Sequence, residues 1–492
     1  MAYKHGIYVS ESDTSMPTPL TGSAGPQVIF GTAPIHLTAN PAAAVNKPVL
    51  CNTYEEAVAA LGYSDEWDKF TLCQSMDACF RIFGVAPVIF VNVLNPSTVA
   101  HITSNAAETI TPANSQATYA KAYVLLSTLV VKKDTTTLVV GTDYFAAHDE
   151  AGHVLITLIS TAAKAAATLT VSSSSLKPDG VLATDIIGGT NATTGADTGL
   201  ALIRQIYPKF GIAAGLILAP GWSLTATVGA ALQTACEDID GCFNCETLID
   251  IDSSTATVYT GVEAQKATQG VDSSHAIALW PKVKVGTKIY FYSAVYGALI
   301  AYTDAKNSDV PSLSPSNKAL ASPNDPSVLI TAAVLANGTE VILDQEQANT
   351  VNGYGVVTAL NMGGFRAWGN NTAAFPETAE QKDRWIATRR FFTWWANSFI
   401  KTYFEKVDDP ANYRLIESIV DSENIRGNRF VAAGYCAGAK IKFLETENPT
   451  ASILAGTIKF HMYLAPYTPA ENIELVLEFD PAALVAALTG GE

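Results

Sequence analysis

Two stretches of this chain alternate short apolar runs with amphipathic ones, and a stretch of different texture separates them. From residue 26 to 96, "QVIFGTA" and "PVLCN" read as strands, "TYEEAVAALG" as a helix ended by Gly62, "DKFTLCQSMDACFRIFG" as a longer helix and "PVIFVNVLN" as another strand. On the longer helix Phe70, Cys73, Met76, Asp77 and Phe80 follow helical spacing, so Asp77 is a carboxylate on an otherwise apolar face. The alternation resumes near Gly195: "DTGLALIRQIYPKFG" is helical, "AAGLILAPG" a buried strand, "TVGAALQTACEDI" a helix and "CETLIDID" a strand. Strands alternating with helices call for a sheet with helices packed on it, part of it parallel.

Between these halves the chain turns to Thr, Ser, Ala and Val. The segments "AYVLLSTLVV", "TTLVVGTDYF", "HVLITLIS" and "AATLTVSSS", separated by turn residues, suggest a β-sandwich or small barrel set into the α/β chain. The expected fold class is therefore mixed α/β, α+β and multidomain: an α/β core with an inserted β-sandwich-like domain and extended N- and C-terminal arms. The boundaries read 1–25 for the N-terminal arm, 26–96 for the first part of the core and 97–190 for the insertion. The second part of the core then covers 191–345, a C-terminal domain 346–470 and the C-terminal arm 471–492.

Both arms carry strand signals without a partner strand. "HGIYVSES" offers Ile7, Tyr8 and Val9 ahead of the Pro- and Gly-rich "TSMPTPLTGSAGP". In "NIELVLEFD", Ile473, Leu475, Leu477 and Phe479 share one face of an extended segment, opposite Glu474, Val476 and Glu478. A strand must satisfy its backbone, and an open apolar edge invites another chain. Upstream, the aromatic "KDRWIATRRFFTWWANSFIKTYFEK" places Trp385, Phe392, Trp395, Phe399 and Tyr403 on one helical stripe, widened by Phe391 and Trp394, as in a buried helix. "DDPANYRLIESIVDSENIRG" follows as a helix expected to start at the cap Asp409 with Pro410 in its first turn and to stop at Gly427. Its narrow stripe of Tyr413, Ile416, Ile419 and Val420 leaves Arg414, Glu417 and Asp421 exposed. "GYCAGAKIKFLE" and "AGTIKFHMYLAPY" read as strands.

At 492 residues the chain is long enough for several cores. Charged residues make up 15 % and the formal net charge is −16 with no basic cluster, which argues against direct nucleic-acid binding. The longest apolar run, "FGIAAGLILAPGW", is broken by Pro220 and too short for a bilayer, and "MAYKHGIYVSESD" has no apolar leader core, so a soluble, unexported chain without membrane insertion is expected. Seven cysteines among apolar neighbours suit reduced thiols.

Candidate chemistry does not assemble. "GCFNC" pairs Cys242 with Cys245 near Cys236, but a zinc site needs further ligands and the nearest histidine is His275, alone. "CEDIDGCFNCET" imitates a calcium loop with Cys236 and Thr247 where carboxylates are required. "HDEAGH" puts His148 and His153 too far apart for a zinc-protease helix and reads as a hairpin turn. "GGTNATTGADTG" lacks a phosphate-loop Lys-Ser/Thr, and no Gly-x-Ser-x-Gly elbow occurs. No metal, no cofactor and no catalytic residue is expected. An α/β enzyme using the crevice near "LILAPGW" and "LIDIDSS" stays as an alternative.

The opening "HGIYVSES", the central "LILAPGW", "HAIALWPKVKV" with "AVYGALIAYTDAKNSDVPSLSPSNKAL", and the final "ENPTASILAGTIKFHMYLAPYTPAENIELVLEF", taken in order, resemble the tail sheath protein of contractile phage tails and of phage-tail-like (R-type) bacteriocins. The resemblance implies a non-enzymatic virion structural protein, assembled in the bacterial host cytoplasm into a virion tail or a released particle. It implies a homo-oligomer of hexameric rings stacked helically around an inner tail tube protein, with baseplate and tail terminator proteins as partners. The lattice would be metastable, contracting to drive the tube through a target envelope. It further implies that Ile7, Tyr8 and Val9 and the strand Ile473, Leu475, Leu477 and Phe479 cross to neighbouring subunits. The helix from about Pro410 to Ile425 would face the tube with Arg414, Glu417 and Asp421, and residues 97–190 would lie on the outer surface. A non-contractile filament or shell is the other assembly reading.

Overall fold

In the computed structural model the described residues are 24–378 and 380–489. Ile7, Tyr8 and Val9 lie outside them. An eight-stranded sheet runs in the order Pro48–Cys51, Val88–Asn92, Gln27–Gly31, Leu216–Leu218, Glu246–Asp250, Ala276–Leu279, Val356–Asn361, Phe365–Trp368. The two edge strands are antiparallel to their neighbours, and every pairing between them is parallel. The central strands are buried along their whole length, which is why most of them read as apolar runs, with Glu246, Thr247 and Asp250 as buried polar exceptions on one strand. Helix Tyr292–Lys306 packs on strand Glu246–Asp250 and on the helical turn Asp77–Phe83. The carboxylate of Asp77 is met there by the hydroxyl of Tyr290 and by Arg81 at 3.0 Å, so the misplaced acid is a paired one.

The chain leaves the sheet after Asn92 and rejoins it at Leu216. In between, a four-stranded sheet (Ile102–Ile110, Leu169–Leu176, Val130–Lys133, Thr136–Thr137) and a three-stranded one (Gln116–Tyr119, Val154–Leu158, Tyr144–His148) share a core of Tyr119, Val131, Val154, Ile156, Leu169 and Val171. This body meets the α/β core through the Lys69–Asp179 ion pair at 2.6 Å and through packing of His36 and Phe70 on Tyr123. "HDEAGH" is a hairpin turn in which Asp149 accepts from the backbone of Ala151 and His153, each at 2.9 Å. A further four-stranded antiparallel sheet (Lys288–Tyr290, Lys282–Val285, Ile330–Val334, Glu340–Val341) has no counterpart in the sequence reading.

The aromatic helix spans Ile386–Tyr403 and is followed by Tyr413–Ala432. Two expectations about the second helix fail. Its N-cap is Asn412, whose side chain accepts from Leu415 N–H at 3.0 Å, and Asp409 lies outside the helix. Nor does Gly427 end it: the helix continues to Ala432, and Gly427 is where it touches the next strand, since a Cβ there would stand 2.3 Å from the Ala439 carbonyl. The following strands, Cys436–Phe443 and Phe460–Pro466, form an isolated antiparallel hairpin. Residues 467–480 carry no strand assignment, and a helix over Pro481–Leu488, capped by Asp480, closes the described chain.

Candidate assembly surfaces

The C-terminal part is bolted to the α/β core at the aromatic helix. Arg390 is buried against Asp304, pairing Nη1 with Oδ1 at 3.1 Å and Nη2 with Oδ2, and it also donates to the Ala24 carbonyl. Burial pushes the Asp304 carboxyl up and the guanidinium opposes that, while the same pairing raises Arg390. Thr393 donates to Glu246 at 2.6 Å, and Asn397 exchanges hydrogen bonds with the backbone of Asn244. Arg390 was legible only as one of a basic pair; a charge set among Phe391, Trp394 and Trp395 was the overlooked signal.

The opposite side of that helix is less covered than its stripe suggested. Phe391, Trp394 and Trp395 are buried with Phe430, whereas Phe392 and Phe399 are half-buried. They line an apolar groove with Ile441, Phe460, Met462 and Leu464 of the hairpin. Residues 460, 462 and 464 are alternate positions of one strand, so one face of Phe460–Pro466 looks into the groove.

The two outer edges of the hairpin differ. On Cys436–Phe443, Asn424 accepts from Ile441 N–H at 3.0 Å and donates to its carbonyl at 3.2 Å, which occupies that edge from the helix side. On Phe460–Pro466, among the described residues, the backbone hydrogen bonds run to its partner strand; the His461 side chain meets Glu447 at 2.9 Å, and the side-chain clamp by Asn448 falls just before the strand, on Lys459.

Glu471 is held by Arg384 at 3.0 Å, and beyond it the segment is bare: Ile473, Leu475, Leu477 and Phe479 are 86 %, 80 %, 86 % and 74 % exposed. Arg414, Glu417 and Asp421 are exposed along one side of the Tyr413–Ala432 helix, with Ile425 beside them. Behind them, Glu423 and Arg426 form a buried pair at 3.4 Å, and Arg426 lies over the Trp395 ring at 4.2 Å. Burial raises the Glu423 carboxyl and lowers the Arg426 guanidinium.

The crevice at the carboxyl ends of the parallel strands holds Asp250, Asp252, Lys282 and Phe291. Asp250 is fully desolvated and pushed up to about 6, but its oxygens take the N–H and hydroxyl of Ser293 at the start of helix Tyr292–Lys306. It serves as a cap for that helix. Among the described residues no group of three or more His, Cys, Asp or Glu is placed to hold a metal ion, and no helix is long and apolar enough to cross a membrane.

No family model matches the chain. It is 26 % identical over 503 aligned positions to the tail sheath protein of Burkholderia phage BcepMu, covering 99 % of each chain. Along almost its whole length the chain is thus similar to a phage tail sheath protein. In fold, the chain matches the PVC sheath complex of an extracellular contractile injection system in its contracted state, with a TM-score of 0.58, 14 % identity and coverage of 98 % and 99 %. It likewise matches the contracted helical sheath of the anti-feeding prophage, with a TM-score of 0.54, 13 % identity and coverage of 98 % and 100 %. The resemblance seen in the sequence and the mixed α/β architecture are thus both met.

Proposed function

We propose that this sheath subunit polymerises by lending its C-terminal strand to a neighbour, in hexameric rings stacked around an inner tube and seated on a baseplate. One observation carries the reading: an apolar alternating segment stands bare on the same chain whose Phe460–Pro466 strand has, among the described residues, no second strand on its outer edge and looks into an apolar groove. Laid beside Phe460–Pro466, Ile473, Leu475, Leu477 and Phe479 would cover Phe392, Phe399, Phe460 and Met462. Each covered side chain is worth about 1.5–3 kcal/mol, and each added main-chain hydrogen bond about 1 kcal/mol. The donor and acceptor surfaces differ, so the contact is heterologous and propagates. The arm residues Ile7, Tyr8 and Val9 fit the same strand-addition reading.

The work of contraction then comes from a lattice assembled in a metastable form, with no catalytic step and no cofactor. Assembly in the host cytoplasm ahead of particle release belongs to the same reading, as does an inner tube facing Arg414, Glu417 and Asp421. Truncation after Pro469 tests the strand exchange: a folded protein that makes no long tubes supports it, and tubes of ordinary length sink it. Electron microscopy before and after acid or urea separates contraction, with two filament diameters, from a static filament with one.

A further inference from the structure

The "GCFNC" loop is unused by the assembly reading, yet it brings three thiols into one small closed turn. Cys236 and Cys245 are both 0 % exposed, Cys245 N–H donates to the Cys236 carbonyl at 2.9 Å, and each thiol lies close enough to act on the other electrostatically. Between them Ile239 and Phe243 exchange backbone hydrogen bonds at 2.8 and 2.9 Å, and Asp238 and Asp240 take left-handed φ values of 53° and 56°. Cys242 sits at the tip of this turn and is exposed. The next residue but one, Asn244, bonds Asn397 of the aromatic helix in both directions, so the base of the loop is part of the junction that carries the C-terminal part. All of these cysteines are free in the structure.

We propose that Cys236 and Cys245 are a disulfide-forming pair, and that Cys242 is the thiol through which a low-molecular-weight disulfide reaches them. The Cys242 thiolate attacks one sulfur of R–S–S–R, giving Cys242–S–S–R and releasing one thiolate, which takes up the Cys242 proton. Cys245 then attacks the Cys242 sulfur, releasing the second R–S⁻, which takes up the Cys245 proton. Finally Cys236 attacks the Cys245 sulfur and displaces Cys242, which recovers the proton that Cys236 gave up. In sum, two protein thiols are oxidised to one disulfide and one R–S–S–R is reduced to two R–SH. Burial keeps the Cys236 thiol protonated, so the last exchange proceeds as the loop opens. Thiols in a reducing compartment would thus become a staple once outside it.

The test uses the reduced full chain incubated with oxidised glutathione, then acid-quenched, alkylated under denaturing conditions and mapped by peptide mass. The expected product joins Cys236 to Cys245 and leaves Cys242 alkylated. Cys242→Ser should give the same link at a rate lower by about tenfold or more, because the buried thiols then meet the oxidant only in opened states. Cys245→Ser should stop at a Cys242–glutathione mixed disulfide. Cys236 and Cys245 both remaining alkylatable, or an end product joining Cys242 to Cys245 or to a second copy, would overturn the pair. Unchanged kinetics in Cys242→Ser would overturn the role given to Cys242.

Discussion

The central sheet and the C-terminal hairpin both bury an apolar face, but they treat their edges differently. In the sheet, the last strand on each side runs antiparallel to its neighbour, and the strands between are covered on both faces. In the hairpin one edge is occupied by Asn424, the other lies over a groove, and seven residues further along the chain a bare alternating segment begins. The Phe365–Trp368 edge of the sheet is covered from within the chain, where Asn317 and Leu320 N–H donate to the Ala367 and Phe365 carbonyls, as suits a self-sufficient fold; an open edge beside a bare apolar segment suits the proposed polymer. The largest expected effect follows. Leu475→Asp/Leu477→Asp should leave the melting curve of the subunit near wild type while abolishing long tubes by electron microscopy, because the charges would enter the neighbour's groove. If the double variant polymerises normally, the hairpin is no more open than the sheet.

The next effect concerns the join between the two regions. Arg390→Met leaves Asp304 buried without its partner and should cost about 3–5 kcal/mol in denaturant unfolding, whereas Arg390→Met/Asp304→Leu should recover most of that. A cost below about 1 kcal/mol would mean that the two regions are held mainly by their aromatic contacts. A smaller loss, about 2–3 kcal/mol, is expected for Gly427→Ala, because the added methyl meets the Ala439 backbone and must push the helix off the hairpin. Tube yield should fall with it, as the groove is built from the displaced strand. A stability within about 0.5 kcal/mol of wild type would show that the hairpin drifts freely on its helix.

Gly427 also shows where sequence reasoning stops. A glycine after a helical stripe usually marks an end, and only the partner Ala439 reveals that this one marks a close approach. Asp77 is similar: the spacing exposed it as anomalous, but the hydroxyl that answers it, on Tyr290, is 213 residues away. Buried parallel strands such as Val88–Asn92 and Leu216–Leu218 were legible because burial on both faces leaves apolar runs. "KVKV" was not, since a charged alternation on a small antiparallel sheet resembles a loop. The alternation of Ile473 to Phe479 was plain, although within one chain it has no ladder to make it a strand. The helix Pro481–Leu488 was missed despite Asp480 and Pro481 standing at its cap and first position.

The inserted body gives a further contrast, sensitive to pH. His36 is buried at its contact with the core, edge-on to His148 at 5.3 Å and packed on Phe70 and Tyr123. Asp149 faces His148, Glu66 accepts from Tyr123, and the Lys69–Asp179 pair lies nearby. Burial first, and then the charge of His148, lower His36 from 6.5 to about 3. The unfolded chain therefore binds the proton more readily. Stability is complete above about pH 6.5 and declines as the pH falls toward 3, by about 2 kcal/mol at pH 5 for this group. Urea unfolding at pH 7 and pH 5 should show the difference, and His36→Leu should reduce it by that amount. An unchanged slope in His36→Leu would place the acid sensitivity elsewhere.

The smallest effect on the subunit, and the sharpest separation of folding from assembly, belongs to Arg414, Glu417 and Asp421. They are exposed on a helix whose other side carries the buried Glu423–Arg426 pair, so the helix is fixed by groups that do not include them. Replacing all three with Ala should move stability by no more than about 0.5 kcal/mol, with any small gain from helix propensity. If the inner tube lies against this face, the triple variant should still give sheath-like polymers from the isolated protein while losing co-assembly with tube protein in pull-down and electron microscopy. Normal co-assembly would identify the face as solvated. Loss of polymer without tube would instead move these residues into the contact between copies of the chain.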